Sequence, residues 1–270
     1  MKQILIPLSL LLFSFIIFSC GKKEDSSTTT SSPLYVAVGD NGTILTSSDA
    51  TTWTSRTSGS TEHLYAVTYA NSTFVVMGDA GTILTSSDGT TWTSRTSGTT
   101  NDLHRGTYGN STFVVVGDNA TGSGTILTSP DGTTWTSRTS GTSLRLWDVT
   151  YANSTFVVVG MTGTLLTSSD GTSWTSRSSG TTEGLYGVTY GNSTFVVVGP
   201  SGSIYTSSDG TSLTSRTSGI TSNLWGITYG NSIFVTVSYG GDILTSSDGK
   251  SWTSRTSGTT NALYDVTYKE

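Results

Sequence analysis

Ser86-Ser87-Asp88-Gly89-Thr90-Thr91-Trp92-Thr93-Ser94-Arg95-Thr96-Ser97-Gly98 decides the fold, because the chain repeats it. Its aspartate recurs at Asp49, Asp88, Asp131, Asp170, Asp209 and Asp248, at intervals of 39, 43, 39, 39 and 39 residues. A period of this length marks a repeat architecture, in which each unit buries its apolar faces against its neighbours. Working outward from Asp88, the unit begins Leu64-Tyr65-Ala66-Val67-Thr68-Tyr69 and continues Thr73-Phe74-Val75-Val76-Met77. Thr82-Ile83-Leu84-Thr85-Ser86 and Thr91-Trp92-Thr93-Ser94-Arg95-Thr96 complete it. These are four short β runs separated by turn residues, and none has the length or period of a helix. Asp-Gly and Gly-Asn pairs supply the backbone signs that tight hairpins require. Four antiparallel strands per unit, repeated radially, predict the blade of a β-propeller.

The phase of the repeat predicts closure. Tyr35 lies one 39-residue period before Phe74, so residues 34–39 align with the second strand of a blade. Residues 263–268 (Leu-Tyr-Asp-Val-Thr-Tyr) align with the first strand. The chain thus enters on one strand and leaves on the strand that its first blade lacks. The expected fold is an all-β, six-bladed propeller over residues 34–270, with its ring closed by pairing of the C-terminal strand with the N-terminal blade.

With these residues in view, the six Ser-Ser-Asp-Gly-Thr-Thr-Trp copies resemble the Asp-box (BNR repeat) of sialidase-like, sortilin-like and photosystem-assembly-factor-like propellers. Ala50 replaces the glycine of the first copy and Leu213 the tryptophan of the fifth. The resemblance implies a structural turn between the third and fourth strands, on the face away from any active centre. The residues support the same role: a carboxylate at a tight turn accepts backbone N–H groups, and the tryptophan beside it fills the gap between blades. Arg56, Arg95, Arg138, Arg177, Arg216 and Arg255 repeat too, on the outermost strand, where charge discourages edge-to-edge pairing. They are not the converging arginine cluster that a sialidase resemblance would require.

The N-terminus is read separately. Met1-Lys2 precedes an apolar run over residues 4–18 and then Ser19-Cys20-Gly21. A basic start, a short apolar core and a small residue before the cut describe an export signal, and a membrane span needs about 20 apolar residues. Ile17-Phe18-Ser19-Cys20 resembles the lipobox of bacterial lipoproteins, which implies acylation of Cys20. The expected organisation is a lipoprotein signal peptide over residues 1–19, a lipidated disordered tether over 20–33, and the propeller. The resemblance implies a protein lipid-anchored to the membrane of a bacterial cell envelope.

Composition narrows the function. Charged residues make up 11% of the chain and the formal charge is −5, with a pI near 4.9. That balance argues against nucleic-acid binding, which needs Lys and Arg to neutralise phosphates. The single cysteine leaves no internal disulfide. Asp40-Asn41 and Asp118-Asn119 resemble oxygen-ligand turns, but the corresponding turns elsewhere break the pattern, so neither metal nor cofactor is expected. A monomer is expected.

Sites are sought where the copies differ. Variation concentrates just before the first strand, at its second and third positions, and in the turn between the second and third strands. Loops on a rigid scaffold carry recognition, and in a propeller these segments share one face, around the channel mouth. The candidate ligand residues are His63, Tyr65, His104, Arg105, Arg145, Trp147, Asp148, Tyr186, Trp225, Tyr264 and Asp265. Aromatic rings with a few polar groups suit a glycan or a peptide. The expected function is a tethered, non-enzymatic binding module, with a sialidase-like glycoside hydrolase or an assembly factor for a membrane complex as the alternatives. No catalytic residue is assigned.

Overall fold

A computed structural model describes residues 14–16 and 34–268; the signal, Cys20 and tether expectations otherwise lie outside the described residues. The strands among them form six four-stranded antiparallel sheets, the six blades expected from the repeat. The second blade is typical, with Leu64–Ala70 innermost, then Thr73–Gly78, Ile83–Ser86 and Thr93–Arg95. The inner strands of the third to sixth blades are Asp102–Gly109, Leu146–Ala152, Gly187–Gly191 and Leu224–Gly230.

Local chemistry fixes each hairpin. Between the first and second strands, Asn71 and Ser72 have φ of 48° and 57°; two left-handed residues in succession match the twist of a two-residue hairpin. At the Asp-box, Asp88 Oδ1 accepts the N–H groups of Thr90 and Thr91 at 2.8 and 2.9 Å and the Ser86 hydroxyl at 2.9 Å. These donors, the Thr91 N–H foremost, hold its carboxyl well below the usual range. Trp92 donates its indole N–H to the Gly89 carbonyl at 3.1 Å and lies 6.2 Å from the Phe74 ring. Each repeated arginine is tied back onto its own blade, as in the 2.7 Å bond from Arg95 Nε to the Thr85 hydroxyl.

The core lies between blades. Val36, Val38 and Ile44 of the first blade interleave with Leu64, Val67, Phe74 and Val76 of the second, with Trp92 at the edge. Val75, Met77 and Ile83 meet Leu103, Phe113 and Val115 of the third in the same way. Strand pairs buried on both faces read as continuous apolar runs, which is why Phe-Val-Val-Val recurs in the sequence.

Closure has two parts. Residues 263–268 dock on the sixth blade as each inner strand docks on the blade before it. The Leu263 N–H donates to the Ser238 carbonyl at 2.9 Å, as the Leu224 N–H does to Gly199 and the Leu185 N–H to Gly160, both also at 2.9 Å. The ring of Tyr268 covers Gly230 as that of Tyr229 covers Gly191. The second part is the inner edge of the first blade. There Tyr35–Gly39 is paired with Ser14–Ile16, Val36 opposite Ile16 and Val38 opposite Ser14, and no ladder to residues 263–268 occurs among the described residues. An open strand edge accepts any extended segment of suitable register. Ser14–Ile16 belongs to the apolar run read as an export signal, and it holds this edge in the full chain.

Candidate functional site at the channel mouth

Hydrogen bonds establish the two faces. The turn after the second strand bonds to the segment before the first: the Asp79 N–H to the His63 carbonyl, the Met161 N–H to Arg145 and the Tyr239 N–H to Asn223, each at 2.9 Å. On the opposite face, Asn110 of a first hairpin donates to Ser169, beside the Asp-box of the next blade, at 3.2 Å. The segments that vary therefore share one face and the invariant turns share the other, as the sequence predicts.

At the start of each inner strand the ladder slips. Leu64 pairs with Gly78 and Ala66 with Met77, so Tyr65 has no partner of its own. His104 and Trp147 are skipped in the same way. In the fifth blade Tyr186 donates its N–H to Val198 at 2.8 Å, the residue that also pairs with Gly187. In the sixth the register shifts between Leu224 and Ile227, a stretch containing Trp225. A β-bulge re-aims the extra side chain, and here it brings aromatic rings from neighbouring blades into contact at one end of the inner strands. Tyr65 and His104 have centroids 5.4 Å apart, and His104 and Trp147 5.0 Å. Tyr186 stacks on Trp225 at 4.4 Å with planes 11° apart, Trp225 is 6.5 Å from Tyr264, and Tyr239 is 6.2 Å from Tyr264. Two aromatic arcs thus follow the ring of blades. The indole nitrogens of Trp147 and Trp225 are buried without a hydrogen-bond partner.

Polar groups hold the first arc. Asp118, 3% exposed, accepts from His104 Nε2 at 2.5 Å and forms an ion pair with Arg145 Nε at 3.2 Å. The Arg145 guanidinium lies 5.8 Å from the centroid of Trp147. His63 stands away from the arc, paired with Asp40 at 3.0 Å and about half exposed. The Tyr65 hydroxyl has its pKa pushed well up, first by burial and then by a hydrogen bond to Asp79, with Asp102 and Asp40 adding negative charge.

The remaining candidates are engaged with one another. Arg105 spans from the third blade, donating to the Tyr65 carbonyl at 2.9 Å and to Asp265 Oδ2 at 3.0 Å. Asp148 accepts the N–H groups of Val149 at 2.8 Å and of Val188, in the next blade, at 2.9 Å. Burial pushes its pKa up to about 6, with Arg105 opposing the shift. Asp265 accepts the Val266 N–H at 2.9 Å. At the same strand position the sixth blade has Gly226, where an added Cβ would stand 2.5 Å from the Asp265 backbone. These three charges tie blades together. The candidate ligand residues did not include Asp118, the carboxylate that engages both His104 and Arg145, or Tyr239, the most exposed large apolar side chain of this face at 58%, although both stand in the turns where the copies differ. No group of three or more His, Cys, Asp or Glu side chains among the described residues has the arrangement of a metal site.

Solved structures place the chain among β-propellers. The WD40 propeller domain of Doa1 superposes with a TM-score of 0.70 at 13% identity, covering 95% of this chain and 90% of that one. YCF48 from Cyanidioschyzon merolae gives 0.64 at 15% identity, covering 85% and 83%. A structure of YCF48 bound to D1 peptide gives 0.64 at 18% identity, covering 82% and 77%. No protein-family model and no curated protein matches the chain. At these identities the likeness shows the fold alone, a β-propeller, and the count of six blades comes from the chain's own sheets.

Proposed function

We propose that this chain is a non-catalytic binding module, held at a bacterial envelope membrane through Cys20, whose variable face takes an extended protein segment. The observation that carries this reading is the set of bulged aromatic positions. On a scaffold whose other turns are nearly identical from blade to blade, each inner strand gives up one ladder position to present Tyr65, His104, Trp147, Tyr186 or Trp225. Natural sheets keep such bulges where a side chain must be aimed. Aromatic side chains give large contact area at low entropic cost, as recognition surfaces require.

Two further points support the choice. The channel carboxylates Asp148 and Asp265 are engaged by backbone N–H groups and by Arg105, whereas glycoside hydrolysis needs a free pair. YCF48, a propeller of similar fold, is described bound to D1 peptide, and a protein segment is the ligand class we carry over as a proposal. Immobilised full-length protein probed with peptide and glycan arrays tests the reading. Peptide hits should weaken at least tenfold on Trp147→Ala or Trp225→Ala; hits insensitive to both would place binding elsewhere.

A further inference from the structure

Charge on the variable face is lopsided, and the imbalance names a ligand class. Its two strong bases among the described residues are both engaged, Arg145 with Asp118 and Arg105 with Asp265. Glu62, Asp79, Asp102, Glu183 and Asp242 have no ion pair among the described residues. Asp79 and Asp102 flank the bulged ring of Tyr65: Asp79 follows the strand that pairs with it, and Asp102 reaches back to accept the Ala80 N–H at 3.1 Å. The Asp79–Gly81 turn is thereby held against the third blade beside the first aromatic arc. One guanidinium is already seated in this arc, that of Arg145 over Trp147 at 5.8 Å. Aromatic faces attract cations, and more strongly when carboxylates stand behind them.

We infer that the channel mouth recognises a basic protein segment, seating a lysine or arginine side chain against Tyr65 between Asp79 and Asp102, with the flanking backbone along the aromatic arcs. This rests on the binding-module reading and adds the chemistry of the partner. A neutral segment would leave the carboxylates without a counter-charge, and an acidic one would meet direct repulsion. A cationic one complements them without breaking either existing arginine pair.

The test uses the full-length protein with an array of nine-residue peptides in basic, neutral and acidic sets of matched hydropathy, followed by anisotropy titration of the best binder in each set. The basic set is expected to dominate. Binding should weaken at least about tenfold in Asp79→Asn/Asp102→Asn, and weaken with rising salt as a charge interaction does. Asparagine keeps an acceptor for the Ala80 N–H, and a matching melting temperature would confirm that the fold is retained. Neutral or acidic binders that depend on Trp147 but not on Asp79 and Asp102 would overturn the basic-ligand inference and leave the binding-module reading standing. Absence of binding by every set would overturn both.

Discussion

Arg105 Nη2 and Asp265 Oδ2 stand 3.0 Å apart across the mouth of the channel, joining the third blade to a residue five positions before Glu270. The guanidinium also holds the Tyr65 carbonyl, so one side chain ties three segments of the ring. Both charges are mostly withdrawn from water, at 29% and 16% exposed. Removing one partner leaves the other poorly solvated, a cost of about 2–4 kcal/mol. Asp265→Ala should therefore destabilise the fold by about that much in urea unfolding. The Arg105→Ala/Asp265→Ala double variant should lose less than the two single losses combined; full additivity would show that the pair is not coupled.

Two segments have a register that suits the inner edge of the first blade, and only one of them continues the repeat. If cleavage removes residues 1–19, Tyr35–Gly39 loses Ser14–Ile16, and residues 263–268 become the segment in register. By the 39-residue period, Val36 then faces Thr267 as Val75 faces Thr68. Val36→Cys/Thr267→Cys in a chain shortened by residues 1–19 should form a disulfide, detected as a linked peptide by mass spectrometry. The same pair in the full chain should link less readily, because Ile16 faces Val36 there. Equal linkage in both would show that Ser14–Ile16 does not compete.

Ala50 occupies the Asp-box position where the other copies carry glycine, and its φ is 59° against 71° for Gly89. A left-handed residue with a Cβ costs about 1 kcal/mol over glycine. Ala50→Gly should stabilise the protein by roughly 0.5–1 kcal/mol in chemical unfolding. A loss of stability would mean that the Ala50 methyl makes a contact outweighing its strain.

Opposite pKa shifts give the stability curve two limbs. The Asp-box carboxylates are depressed by their N–H donors; their contribution is present above the ordinary carboxylate pKa of about 4 and is lost as pH falls below it. Asp148 is raised by burial to about 6, so the folded state holds its proton more tightly than the unfolded chain does. Its contribution is present below about 4 and is lost as pH rises through about 6. The melting temperature should fall between pH 4 and pH 7, and Asp148→Asn should remove that slope whatever its absolute stability. A slope unchanged in the variant would assign it to another group.

Much of this was legible in the sequence, because repetition exposes scaffold chemistry. Asp88 and Arg95 recur in register in all six copies and Trp92 in five, and side chains that the blades share report the hairpin and blade contacts they serve. The aromatic arcs were legible only as variable positions, since the bulges that aim them leave a faint trace. Leu64, Val67 and Tyr69 fall in one core layer while Ala66 and Ala70 fall in the next. The spacing of three between Leu64 and Val67 breaks the two-residue alternation of a strand, and it recurs from Leu146 to Val149 and from Leu185 to Val188. Contacts between blades, such as Arg105 with Asp265, are set by ring geometry across 160 positions of sequence, and no local pattern encodes them.

The central claim is that the variable face, not the Asp-box face, meets the partner. Site-specific photocrosslinking in cells that produce the protein tests it directly, with benzoylphenylalanine placed at Tyr186 or Tyr239 on one face and at Thr90 or Thr172 on the other. The account predicts discrete protein adducts from Tyr186 and Tyr239 and none from Thr90 and Thr172. Adducts from the Asp-box positions alone would contradict it.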